Sequence, residues 1–203
     1  MAKLILIRHG QSLWNAKHLW TGLTDISLSQ TGSEEARSAA EKIKEEKIDV
    51  AFVSSLKRAK ETLSVVLKAT GQNYIKIVEN KALDERDYGI YTGENKWELQ
   101  KKFGEEKFFN IRRGWNVPIP NGETLKDVYS RVIPYYLENV LPELKNSKTV
   151  LISAHGNSLR ALVKYLDRLS DAEVSKVEIP TGGVIVYEIS EDGEVINKII
   201  KHE

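Results

Sequence analysis

Leu4-Ile5-Leu6-Ile7 runs straight into Arg8-His9-Gly10-Gln11-Ser12, and far along the chain Val150-Leu151-Ile152-Ser153 runs into Ala154-His155-Gly156-Asn157. Short apolar runs bounded by turn residues are the pattern of buried strands. Both runs end in histidine followed by glycine. The chain has only four histidines, so two of them at the carboxyl ends of strands point to a shared site. In open α/β sheets ligands bind at that edge, and a glycine there permits a tight turn and close backbone approach. The two stretches therefore predict one site built from both ends of the chain, with two imidazoles facing each other.

Outward from these turns, strands and helices alternate. Strand patterns cover 3–7, 50–53, 75–78, 150–153, 184–189 and 195–200, and helical periods cover 30–46, 56–69, 96–103, 124–144 and 158–166. The longest helix keeps a helical period through Leu125, Val128, Tyr129, Val132, Ile133, Tyr136, Leu137, Val140 and Leu141. Pro134 is expected to kink it without ending it. Ser190-Glu191-Asp192-Gly193 is a hairpin signal that predicts an antiparallel edge for the last two strands. The whole pattern predicts a single α/β domain over 1–203, with a mostly parallel central sheet and helices on both faces. Residues 79–123 stand apart, with few strand signals and several glycines, and are expected to cross the active face as a cover.

Thirty basic and 29 acidic residues leave a net charge of +1. No global field draws the chain to nucleic acid or membrane, so an anionic ligand needs a local cluster of cations. Cysteine is absent, which excludes disulfides, thiolate metal sites and a cysteine nucleophile. Met1-Ala2-Lys3 enters an apolar run too short for a signal-peptide core or a membrane span, and the expected setting is the cytoplasm.

Arg8-His9-Gly10 is the strongest local signal. A cation beside a buried imidazole keeps it neutral, as a nucleophilic nitrogen requires. Gln11, Ser12 and the residues to Asn15 open a helical turn whose free N–H groups are expected to bind phosphate oxygens. Ser54-Ser55 follow a strand and predict an N-cap, which puts Arg58 at the third helical position, where a capping box would hold Glu or Gln. Lys57, Arg58 and Lys60 crowd the positive end of that helix dipole. A solvated basic turn is the plain alternative, but a locally costly choice favours an anion clamp at Arg58. Glu85, in Glu85-Arg86-Asp87-Tyr88-Gly89, is a candidate general acid and base. His155 repeats the strand–turn–helix layout, with Gly156 and Asn157 offering donors. His18 and His202 show no ligand spacing, so no metal is expected. Trp14, Trp20, Trp97 and Trp115 lack an accompanying basic stripe, which favours packing over base stacking.

Arg8-His9-Gly10, Arg58, Glu85 and His155-Gly156-Asn157 together resemble the histidine phosphatase superfamily. The resemblance extends along nearly the whole chain to the 2,3-bisphosphoglycerate-dependent phosphoglycerate mutases. It is carried by Arg8 to Asn15, Thr21-Gly22, Leu83 to Gly89, Gly93-Glu94-Asn95-Lys96, Arg112-Arg113-Gly114, Arg131-Val132-Ile133-Pro134, Ala154 to Leu166 and Ile179 to Gly182. It implies that His9 becomes phosphohistidine, that Glu85 is the general acid and base, and that Arg8, Arg58 and His155 surround the transferring group. Gly10, Gln11, Ser12, Asn15, Thr21, Gly22, Arg86, Tyr88, Lys96, Arg112, Arg113, Gly156 and Asn157 would contact the rest of a small phosphorylated carboxylic acid. The implied reaction interconverts 3-phosphoglycerate and 2-phosphoglycerate, primed by 2,3-bisphosphoglycerate and without metal. A phosphomonoester phosphatase using the same intermediate is the alternative, and self-association as a homo-oligomer stays open. Three departures from the mutase pattern stand out. Asp87 replaces a histidine, the stretch 115–123 is shorter, and the chain ends soon after the last strand.

Overall fold

β1 (Ala2–Arg8) and β4 (Thr149–Ala154) lie side by side and parallel at the centre of a six-stranded sheet. The computed structural model describes residues 2–201, so His202 falls outside the described residues. Strand order is β3-β2-β4-β1-β5-β6. β2 (Val50–Val53) and β3 (Lys76–Glu79) continue the parallel half. β5 (Val184–Ile189) and β6 (Val195–Lys201) form the antiparallel edge across the Ser190–Gly193 turn, where Gly193 adopts φ +89°.

Continuous apolar runs suit a sheet covered on both faces. Leu4, Leu6, Val150 and Ile152 point into one layer with Val128, Val132, Leu159 and Leu162. Ile5, Ile7, Ala51 and Leu151 point into the other with Ala39, Ile43, Leu63 and Val66. The first layer comes from α6 (Leu125–Tyr135) and α8 (Gly156–Leu166), the second from α2 (Gln30–Lys42) and α3 (Lys57–Ala69). Truncating a side chain as buried as Leu151 is expected to cost about 2–5 kcal/mol.

The long helix expected over 124–144 is interrupted. Pro134 has no N–H to give and its ring crowds the carbonyl four residues back. Two residues after it the helix widens into a π turn over Tyr136–Val140, then resumes as α7 (Leu141–Lys145). α4 (Lys96–Phe103) matches its expected span, but the periodicity missed α5 (Glu105–Arg113). Its signals are Gly104 at φ +79°, two glutamates in the first turn and two arginines in the last, which suit the helix dipole. Trp20, Leu99, Phe108, Ile111 and Ile119 form a separate small core beneath these two helices. Two short helices complete the chain, α1 (Leu13–Ala16) and α9 (Asp171–Val174). No helix among the described residues is long and apolar enough to cross a membrane.

Candidate active site

The ends of β1 and β4 meet in one place, as the two His-Gly turns predict. The His9 amide donates to the Ala154 carbonyl at 3.0 Å, and the His9 and His155 rings lie 4.9 Å apart. His9 is buried, and its Nδ1 is 2.6 Å from the Gly10 carbonyl. A carbonyl only accepts, so Nδ1 carries the proton and Nε2 keeps its lone pair. Burial first, then the charges of Arg58 and Arg8, hold the His9 pKa well below the usual histidine range. A neutral imidazole with a bare Nε2 is a nucleophile.

Arg58 reaches that nitrogen. Its Nε donates to His9 Nε2 at 3.3 Å, while its other two nitrogens hold the carbonyls of Thr24 and Gly22 at 2.9 and 2.8 Å. Arg58 is nonetheless the second residue of its helix, not the third. The N-cap is Leu56, without a side-chain cap bond, because the hydroxyls of Ser54 and Ser55 turn to Asp84 instead. Arg8 is anchored by Nη1 on the Ile179 carbonyl at 2.6 Å, and its buried Nε has no partner among the described residues.

Glu85 comes from the loop after a 3₁₀ turn over Lys81–Leu83. Its Oε1 accepts the Arg86 amide at 2.8 Å and both the amide and side chain of Asn157 at 3.1 and 3.0 Å. Burial pushes its carboxyl up, but the Arg86 amide, Arg58, Arg8 and Asn157 together outweigh burial and leave the pKa lowered. Oε2 takes none of these bonds. Two arginines missed as site residues build this corner. Arg131 donates to the carbonyls of Ala82, Asp84 and Glu85 and is held by Glu123. Arg160 ties Asn157 Oδ1 to the carbonyls of Arg113 and Val174. Their signal is an arginine inside an apolar helical run, Val128–Ile133 and Leu159–Leu162.

One cleft is bordered by Arg8, His9, Asn15, Thr21, Gly22, Arg58, Glu85, Tyr88, Lys96, Arg112, Arg113, Gly156 and Asn157, joined by Trp20 and Arg160. Lys96, Arg112 and Arg113 bring cations to it from α4 and α5. Burial and the nearby Arg112 and Arg8 lower the Lys96 pKa to about 8. Arg113 is already engaged with the Val177 carbonyl and the Glu178 carboxylate, whereas the Arg112 side chain has no such partner among the described residues.

Four expected contact residues do not border the cleft. Gly10, Gln11 and Ser12 spend their amides on Thr62 Oγ1, Glu35 Oε2 and Asn15 Oδ1, which corrects the expectation of free N–H groups there. Arg86 is fully buried, capping the carbonyls of Ile111 and Arg112 and stacking over Tyr88. His155 sits behind His9, with Nε2 2.7 Å from Ser54 Oγ. The carboxylate of Asp87 is turned away as well, accepting the Gly89 amide at 2.8 Å.

A buried, neutral histidine flanked by arginines, with a carboxylate across a cationic cleft, defines a phosphoryl-transfer site of the phosphohistidine type. Residues 4–201 match the model of the histidine phosphatase superfamily, branch 1. A relative from Chelativorans sp. (strain BNC1) is 50% identical over 199 residues, covering 97% of each chain, and is named 2,3-bisphosphoglycerate-dependent phosphoglycerate mutase. A relative of the same name from Corynebacterium diphtheriae is 42% identical over an alignment of 220 residues, covering 96% of this chain and 89% of its own. Its alignment is longer than this chain of 203 residues, so it carries insertions. Among solved structures, a mycobacterial glucosyl-3-phosphoglycerate phosphatase complexed with VO3 superposes with a TM-score of 0.83 at 23% identity, over 99% of this chain and 98% of its own. Phosphoglycerate mutase from Bacillus anthracis str. Sterne gives 0.75 at 24%, over 98% and 91%. These two share the fold. The chain belongs to the histidine phosphatase superfamily and, within it, to the family of 2,3-bisphosphoglycerate-dependent phosphoglycerate mutases.

Proposed function

We infer that this protein interconverts 3-phosphoglycerate and 2-phosphoglycerate through a phosphohistidine at His9, in a cytoplasmic setting. The observation that carries the reading is the charge of the cleft: six cations border it against the single carboxylate of Glu85. Arg8 and Arg58 suffice for one phosphoryl group. Lys96, Arg112 and Arg113 add charge for a carboxylate and a second phosphate. That surplus, with the unpartnered Arg8 Nε, fits 2,3-bisphosphoglycerate as the priming molecule. When bound, it supplies the phosphoryl group that turns His9 into phosphohistidine.

The chain's own residues do the rest. His9 Nε2 attacks phosphorus in line, and Arg58 and Arg8 hold the charge spread over the equatorial oxygens. His155 supports the same group from behind. Glu85 Oε2 gives a proton to the departing oxygen and takes one from the attacking hydroxyl. Lys96, Arg112, Arg113, Asn15, Thr21, Gly22, Tyr88 and Asn157 hold the acid while it reorients, and residues 79–123 cover it. Among the described residues no group of three or more His, Asp or Glu is placed to hold a metal ion. Turnover is expected to survive EDTA, and a loss restored by manganese or zinc would point to different chemistry.

The decisive experiment follows products from 3-phosphoglycerate with and without the bisphosphate. Isomerisation stimulated by bisphosphate, with phosphate release much slower, is the expected result. Rapid phosphate release without isomerisation would leave a phosphatase.

A further inference from the structure

Directly after β2 comes Ser54, a fully buried residue that joins two parts of the site. Its Oγ lies 2.7 Å from His155 Nε2 and 2.7 Å from Asp84 Oδ1, and it accepts the Leu56 amide at 3.1 Å. Asp84 is buried too, and also takes the Ser55 amide and hydroxyl, each at 2.8 Å. Counting protons fixes the direction of every bond. A carboxylate only accepts, so the one hydroxyl proton of Ser54 goes to Asp84. The Leu56 N–H only donates. Ser54 Oγ has no proton left for His155, so His155 Nε2 must carry one and donate it. His9 is set the opposite way, protonated on Nδ1 against the Gly10 carbonyl. The two facing imidazoles are therefore opposite tautomers.

We propose that Asp84, acting through Ser54, is a positioning residue that locks His155 in the Nε2–H tautomer and holds its ring against His9. The proposal rests on the phosphohistidine reading above. Two neighbouring carboxylates on one turn then serve two ends of the site: Glu85 faces the cleft, and Asp84 faces the sheet frame. The other charged groups around His155 are Arg58 from α3, Arg8 from β1 and Arg131 from α6. Burial and these cations hold His155 neutral in the protein alone. Glu85 commits Oε1 to the amides of Arg86 and Asn157. Asp84 is thus the negative group joined to the ring by hydrogen bonds, and it favours positive charge on His155 when a phosphoryl group arrives.

The test is ¹⁵N NMR of the full chain with labelled histidine and no ligand, assigned with His9→Gln and His155→Gln. His155 should give the Nε2–H pattern and His9 the Nδ1–H pattern, whereas an Nδ1–H pattern at His155 would overturn the proposal. In Asp84→Asn the amide can donate to Ser54, which frees the hydroxyl proton for His155, so the tautomer should switch. Turnover should then fall about 10-fold or more with KM kept within about twofold, because orientation of the imidazole is lost rather than binding. Ser54→Ala should lose as much, and the double variant no more than either. An unchanged tautomer and rate in Asp84→Asn, or additive losses, would sink the relay. Should Asp84→Asn not fold, the wild-type tautomer decides alone. Predicted tautomers in a chain without isomerase activity would support the relay and count against the proposed function.

Discussion

The two sides of the cleft are built from different material. His9, His155 and Arg58 stand at the ends of central strands or in the first turn of a helix, and each is buried. Lys96, Arg112 and Arg113 stand on two short helices with a small core of their own, apart from the two layers that flank the sheet. On the frame side each of these cations and the nucleophile is anchored to backbone: Arg58 by two carbonyls, His9 by one, Arg8 by one. On the other side, Lys96 and Arg112 have no side-chain partners among the described residues. Rigid placement suits bond making, which tolerates little misalignment. Loosely tethered cations suit a substrate that must turn over between two phosphorylation sites. The frame should therefore govern turnover, and the cover should govern binding.

The largest expected effect breaks the frame. His9→Ala should abolish the acid-labile phosphoryl group acquired from labelled bisphosphate and lower kcat by about 10⁴-fold or more. If that variant kept the label while His155→Ala lost it, the two histidines would have exchanged roles. Glu85→Gln comes next. It keeps the bonds to Arg86 and Asn157 but cannot exchange protons, so kcat should fall roughly 10²-fold or more. A near-normal rate would move the proton to water, because the carboxylates of Asp84 and Asp87 are turned to Ser54, Ser55 and the Gly89 amide.

The cover side should respond in KM. Arg112→Ala removes a cation with no other partner, and binding should weaken by about 1.5–3 kcal/mol. Arg113→Ala should do less, because its guanidinium is shared with Glu178 and the Val177 carbonyl. Steady-state kinetics of both variants check the order, and a larger loss at Arg113, or a loss in kcat alone, would contradict the division between frame and cover.

That division also marks what could be read from sequence. The frame was legible because its pattern is local: strand, histidine, glycine, helix, twice over. Arg58 was legible as a cation badly placed for a helix start, although the capping logic behind it was wrong. Ser54 and Ser55 do not cap, because they serve Asp84, some thirty residues on. The free amides expected from Gln11 to Asn15 failed for the same reason, since Glu35 arrives from α2 to take that of Gln11 and the Ser27 carbonyl takes that of Leu13. Arg131 and Arg160 do most of their work on backbone carbonyls distant in sequence, and although an arginine in an apolar helical run is visible, no periodicity says which carbonyls it will meet. α5 was missed because its buried apolar stripe is just Phe108 and Ile111, packed into a small core with Trp20, Leu99 and Ile119 from outside the helix.

The smallest effect is the sharpest probe of the cover. Lys96 has its pKa lowered to about 8 by burial, Arg112 and Arg8, so in the free protein it is charged below that pH and neutral above it. An arriving anion favours the charged form. Binding above pH 8 must therefore take up a proton, and kcat/KM, which reports the free enzyme, should fall as pH rises through about 8. The loss should level off at roughly 10-fold, the scale of one charge-assisted hydrogen bond. The limb should lie at higher pH in kcat, where bound substrate raises the Lys96 pKa. Arg58 and Arg160 hold their protons to about 10 and leave the window clear. Lys96→Arg keeps its charge throughout and should flatten the limb, with kcat little changed. A limb near pH 8 that survives Lys96→Arg would belong to another group, and one seen equally in kcat would place Lys96 with the frame.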